Sequence, residues 1–124
     1  MELIILGSGG IEGTPKPCCN CERCRIAREK KGKFFRTGPS LFIKPANVLI
    51  DTPEEIRIQL INNNIEKVEA IFYTHWHPDH TMGLRIIEQI NLDCRTGKPK
   101  YKPIDVYFPE DQLNLLDKFL IRKR

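Results

Sequence analysis

The chain has 124 residues, 40% hydrophobic and 29% charged. That is enough for one domain with a modest core and too little for two. No apolar run approaches the roughly 20 residues that span a bilayer. The net charge of +4 and pI of about 8.9 suit an anionic substrate; on charge alone a solvated basic face is favoured over a nucleic-acid site, which stays open.

Leu3 to Leu6 is a continuous apolar run and predicts a first buried strand, broken by Gly7-Ser8-Gly9-Gly10. It lacks the basic flank and the length of a secretory leader, so a cytoplasmic protein is expected. Gly13, Pro15 and Pro17 keep the next stretch irregular. Four of the five cysteines, Cys18, Cys19, Cys21 and Cys24, follow within seven residues. Without a secretory signal, such a cluster reads as a metal site before it reads as disulfides. Glu22 to Lys31 looks helical, with Gly32 at its C-terminus.

Ser40 to Lys44 and Asn47 to Asp51 read as two strands joined by a turn at Pro45-Ala46-Asn47. Thr52-Pro53-Glu54-Glu55 has the form of a capping box: Thr as N-cap, Pro at the first helical position and Glu at the third. Ile56, Leu60 and Ile61 form the apolar face of the helix it opens. Val68 to Tyr73 is another buried strand, and Met82 to Leu92 has helical spacing through Leu84, Ile87 and Ile90. Cys94 to Pro103 is a polar, basic loop whose cysteine reads as a buried structural thiol. Ile104 to Phe108 is a last strand, and Pro109 to Leu120 a last helix with Leu113, Leu116 and Leu120 on one face. Strands come first and then alternate with helices, which predicts an α/β or α+β fold.

All three histidines lie in Thr74-His75-Trp76-His77-Pro78-Asp79-His80, directly after a predicted strand. On a helix His75 and His77 would diverge by about 200°; in an extended segment they share a face and can bind one ion. Asp79 and His80, beyond the bend at Pro78, point to a second ion beside the first. The pattern suggests a binuclear centre with ions about 3.5–4 Å apart, holding an activated water for attack on a phosphoryl or carbonyl group. Histidine and carboxylate ligands suit Zn²⁺, Mn²⁺ or Fe. Asp51, at a strand end, either orients a ligating histidine or caps the following helix.

The run from Thr74 to Leu84 resembles the T-H-x-H-x-D-H-x-x-G-L signature of the metallo-β-lactamase superfamily. Leu3 to Gly10 resembles its first strand and glycine turn, and Val48 to Thr52 its L-I-D-T segment. Gly13-Thr14-Pro15, Cys19-x-Cys21-x-x-Cys24, Arg36 and Ser40 resemble the branch of phosphoribosyl cyclic phosphate phosphodiesterases. The resemblance implies that His75 and His77 bind the first metal. Asp79 and His80 bind the second, with Asp79 near the reacting water, and Asp51 supports the site. Cys19, Cys21 and Cys24 would hold a structural zinc in an insertion spanning about residues 14–37, with Cys18 as a weaker fourth candidate.

The implied fold is the N-terminal half of an αβ/βα sandwich, a mixed sheet with helices on one face. The family's remaining metal ligands have no counterpart here, and Asp105, Asp111 and Asp117 are poor substitutes. Residues 1–124 therefore read as a single, incomplete domain, completed by a second half or by a second copy. The implied function is hydrolysis of a small cyclic or nucleotide-like phosphodiester. The alternatives are a tRNA 3′-processing type of hydrolase, an inert half and a zinc-binding interaction module. No membrane partner is expected.

Overall fold

Alternation within the apolar runs decides which side chains share a face, because neighbours along a strand point to opposite sides. The computed structural model describes residues 1–115. Among them, strands β1 (Glu2–Gly7), β2 (Ser40–Lys44), β3 (Val48–Ile50), β4 (Ala70–Phe72) and β5 (Asp105–Tyr107) form one sheet in the order β1-β2-β3-β4-β5. The first three strands pair antiparallel; β3, β4 and β5 pair parallel. Helix α1 (Glu22–Lys30) lies between β1 and β2 in sequence, and α2 (Ile56–Asn62) between β3 and β4. The short helices α3 (Pro78–Thr81) and α4 (Ile87–Ile90) lie between β4 and β5. This is an α/β architecture on a mixed sheet. Among the described residues no helix is long and apolar enough to cross a membrane.

The register lines up Ile4, Phe42, Leu49, Ile71 and Val106 across one face. Phe42, Leu49 and Ile71 are almost wholly buried there, in one cluster with Ile56 and Leu60 of α2 and with Ile86. Leu84, Ile87 and Ile90 pack on its margin. The opposite face carries the row Ile5, Leu41, Ile50, Phe72 and Tyr107. Ile5 is 70% exposed and Tyr107 50%. The Phe72 and Tyr107 rings stack with centroids 4.4 Å apart. One face of the sheet is thus covered and the other is an open apolar surface.

Three expectations are corrected. The capping box does not form: α2 begins at Ile56, with Glu55 as an N-cap that makes no side-chain bond. The Thr52 hydroxyl is hydrogen-bonded to the buried Tyr73 hydroxyl instead, which would otherwise lack a partner in the core. Residues Met82–Ile86 form a 3₁₀ segment ahead of α4, not one continuous helix. The cause is close packing: Gly83 donates to the Thr52 carbonyl (2.9 Å), and a Cβ at Gly83 would lie 2.4 Å from the Pro53 carbonyl oxygen. Cys94 is exposed, not buried. The last predicted helix begins with a 3₁₀ turn at Glu110–Gln112; Leu116, Asp117 and Leu120 lie outside the described residues.

Gly83→Ala is expected to lower the unfolding free energy by about 1–3 kcal/mol, the usual cost of overpacking. Gly10→Ala, where nothing lies within 4 Å of the added carbon, should stay within about 0.5 kcal/mol. Urea denaturation of both variants beside the parent measures the contrast.

Candidate metal centre

The carboxyl ends of parallel strands are where α/β sheets place ligands, and both halves of this site hang there. β3 runs into Asp51, which turns out of the strand at φ 60°, a conformation that Asp tolerates better than most residues. β4 runs into Tyr73 and Thr74. The Asp51 amide donates to the Phe72 carbonyl (3.0 Å), tying the two strand ends together. Asp51 is only 4% exposed. A carboxylate so buried needs donors, and three converge on it. The Thr74 amide reaches Oδ1 at 2.8 Å and the Thr74 hydroxyl Oδ2 at 2.7 Å. His80 Nδ1 reaches Oδ2 at 2.8 Å. The Asp51 side chain therefore serves the histidine run and does not cap α2.

One set of imidazole tautomers satisfies these bonds. With His80 Nδ1 donating to Asp51, His80 Nε2 keeps a free lone pair and faces Asp79 Oδ2 at 3.3 Å. Thr74 has one hydroxyl hydrogen, directed at Asp51 Oδ2, so its oxygen accepts from His75 Nδ1 at 2.9 Å. His75 Nε2 is then free as well. Burial, then the neighbouring imidazoles of His80 and His77, hold His75 below the ordinary imidazole range, which favours the neutral form that binds metals.

The His75 ring centroid lies 4.6 Å from that of His77 and 4.0 Å from that of His80. Pro78 begins α3 at its first position, and the buried Thr81 hydroxyl bonds the carbonyls of Trp76 and His77, both at 3.1 Å. Thr81 and Thr74 are structural contributors that residue type alone did not single out. Asp79 Oδ1 is buried and meets no donor. A carboxylate with one buried oxygen orphaned and the other 3.3 Å from His80 Nε2 fits a cation, and the donor set fits Zn²⁺, Mn²⁺ or Fe. These donors are spread more widely than the thiols: among the described residues, only the Cys19, Cys21 and Cys24 sulfurs have three ligand atoms all within 4.8 Å of one another. A cleft of about 370 Å³ opens beside Asp79, walled by Gly10, Ile11, Lys16, Pro53 and Pro78.

The cysteine cluster sits where α1 begins, with Cys21 as N-cap. The Lys16 amide donates to the buried Cys24 sulfur at 3.3 Å. Arg28 grips the preceding turn through the Cys19 carbonyl (2.7 Å) and Asn20 Oδ1 (2.8 Å). The Cys24 backbone and then the neighbouring cysteine side chains pull the Cys21 thiol down to about 7. Three clustered soft donors fit zinc. Cys18 is exposed, adopts φ 58° and stands outside the trio.

A histidine–aspartate cluster on the carboxyl ends of a mixed α/β sheet defines the class as that of metallohydrolase-like folds. The family model described as the metallo-beta-lactamase superfamily matches residues 43–120, and the chain belongs to that superfamily. A diphosphatase of the PhnP family superimposes with a TM-score of 0.77 at 31% identity, covering 95% of this chain and 45% of that one. Ribonuclease Z of Pyrococcus abyssi is 29% identical over 125 residues, 97% of this chain and 33% of that protein. An octanoyltransferase of Porphyromonas gingivalis is 37% identical over 86 residues, 68% of this chain but 17% of that protein. The chain thus spans less than half the length of each of these relatives.

Thr74→Val keeps the shape but removes the hydroxyl that links Asp51 to His75. Loss of such an outer partner typically costs 10–100-fold in metal affinity, and a loss of about that size is expected in a zinc-chelator competition titration. Cys21→Ser should remove the thiolate-bound ion alone, lowering zinc content by about one equivalent while the histidine site keeps its occupancy, read by elemental analysis.

Proposed function

We propose that the chain forms the ligand-bearing part of a metal-dependent phosphodiester hydrolase acting on a small cyclic or nucleotide-like phosphate. The observation that carries the reading is the buried Asp51 carboxylate, which holds Thr74 and His80 at the ends of β3 and β4. The histidine run is thereby fixed to the sheet and not left on a free loop. In this reading His75 and His77 hold one divalent ion, and Asp79 and His80 a second. Ions bound there supply an activated water and neutralise charge on the phosphoryl oxygens. Asp51 keeps the Nδ1 hydrogen of His80, directing Nε2 inward. With Oδ2, 3.3 Å from His80 Nε2, given to the second ion, Asp79 Oδ1, buried without a protein partner, would be free to take up the proton of the attacking water. The cleft beside Asp79, with Lys16 on its wall, receives the anionic substrate.

Relatives at least twice as long as this chain support a further element of the proposal. The ligand set is completed by a second half-sandwich, a separate polypeptide or a second copy, lying against the open sheet face. Cys19, Cys21 and Cys24 hold a structural zinc, which suits a reducing compartment such as the cytoplasm. A second reading, hydrolysis of an RNA phosphodiester, is favoured by the ribonuclease Z match along 97% of the chain.

Bis(p-nitrophenyl) phosphate assays with Zn²⁺ or Mn²⁺ test the proposal. Metal-dependent turnover is expected, together with two ions at the histidine run. Asp79→Asn should lower kcat by at least about 100-fold, as for loss of a general acid–base group. One thiolate-bound zinc with no turnover, under conditions where light scattering reports the assembled species, would instead identify an inert or purely structural module.

A further inference from the structure

The cysteine insertion carries a second surface that the metal centre does not use. Thr14 and Arg36 pair across its neck through two backbone hydrogen bonds, 2.9 and 2.7 Å long. Between residues 22 and 36 lie seven lysines and arginines against two glutamates. A solvated basic face accounts for the charges but not for the aromatic rings among them. Phe34 and Phe35 are 39% and 46% exposed, although burying a side chain of this size usually contributes about 1.5–3 kcal/mol.

The 3₁₀ turn Gly32–Phe34 sends the two rings into different depressions. Phe34 carries the Lys30 and Lys33 ammoniums over its ring, 5.6 and 5.3 Å from the centroid. Phe35 walls a trough of about 470 Å³ between this turn and α2. Ile58, Asn62 and Asn63 line the same space, with Asn63 Nδ2 donating to the Gln59 carbonyl at 2.8 Å, and Lys31 is the charged group among the described lining residues. Gln59, also in the wall, has a buried Oε1 that no donor meets, while its Nε2 is held by Thr37 and Gly38.

We propose that this trough docks a single-stranded nucleic acid. An unstacked base lies on Phe35, Asn62 meets its edge, and Lys30, Lys31 and Lys33 meet the flanking phosphates. The combination of aromatic platform and cationic surround is the one by which sequence-tolerant single-strand sites work. The proposal goes beyond the hydrolytic reading, since docking here needs no turnover.

Fluorescence anisotropy of the whole chain with a labelled 12-nucleotide oligo-U RNA, an oligo-dT of equal length and labelled heparin provides the test. RNA or DNA is expected to bind. Phe35→Ala should weaken binding about tenfold, as for loss of one stacked base, and Phe35→Trp should restore it. Lys30→Gln with Lys33→Gln should lower the slope of log K against log salt by about 0.7 per cation removed. His77→Ala should bind as the parent does while losing any turnover. Heparin binding equal to RNA with no effect of Phe35→Ala would reduce the surface to charge alone and overturn the proposal. So would loss of binding in His77→Ala, which would move the contact to the metal centre and leave the hydrolytic reading intact.

Discussion

The organisation of the candidate site depends on one buried carboxylate. An uncompensated charge in this position would be costly in a low-dielectric setting. Asp51 meets three donors, two from Thr74 and one from His80. Those donors come from the end of β4 and from α3, so satisfying the charge also brings strand, loop and helix into one geometry. The next residue continues the same work with its backbone. The Thr52 amide donates to the His80 carbonyl at 2.8 Å, and the Thr52 carbonyl accepts from Gly83 at 2.9 Å. Two adjacent buried residues thus clamp the histidine run from both ends.

What could be read in advance follows the range of each interaction. The histidine and cysteine spacings are local, and ligand geometry within a few residues follows from chain periodicity. The strands were legible as apolar runs because burial on a sheet needs no long-range information. The contacts that give those residues their roles are not local. Asp51 and His80 are 29 positions apart, and Thr52 and Tyr73 are 21 apart. The capping box at Thr52 failed for that reason: a buried tyrosine hydroxyl, invisible to local pattern, competes for the same threonine. Gly83 looked like a motif glycine inside a helix. Its real constraint, contact with the Pro53 carbonyl, comes from a segment 30 positions earlier and tightens the backbone into a 3₁₀ turn.

The apolar runs also carry information about the uncovered face. A strand with one solvated face alternates apolar and polar residues, whereas one covered on both sides reads as a continuous apolar run. Leu3-Ile4-Ile5-Leu6 and Val48-Leu49-Ile50 are of the second kind. Ile4 and Leu49 face the helices, but Leu3 and Ile5 are 56% and 70% exposed. Strand composition therefore matches a sheet covered twice, and an open apolar surface of this kind is characteristic of an interaction face.

The uncovered face and the metal centre meet at the same place. Asp51 ends the β3 edge of a shallow trough on the open face, whose walls include Leu3, Ile5, Leu41 and Ile50. A layer packed over those side chains arrives beside the carboxylate that holds His80. A layer covering the apolar row would pack against Asp51, already only 4% exposed, and shield its bonds to Thr74 and His80 from water. Lower local dielectric strengthens the Asp51–His80 bond, and that bond keeps His80 Nε2 available to an ion.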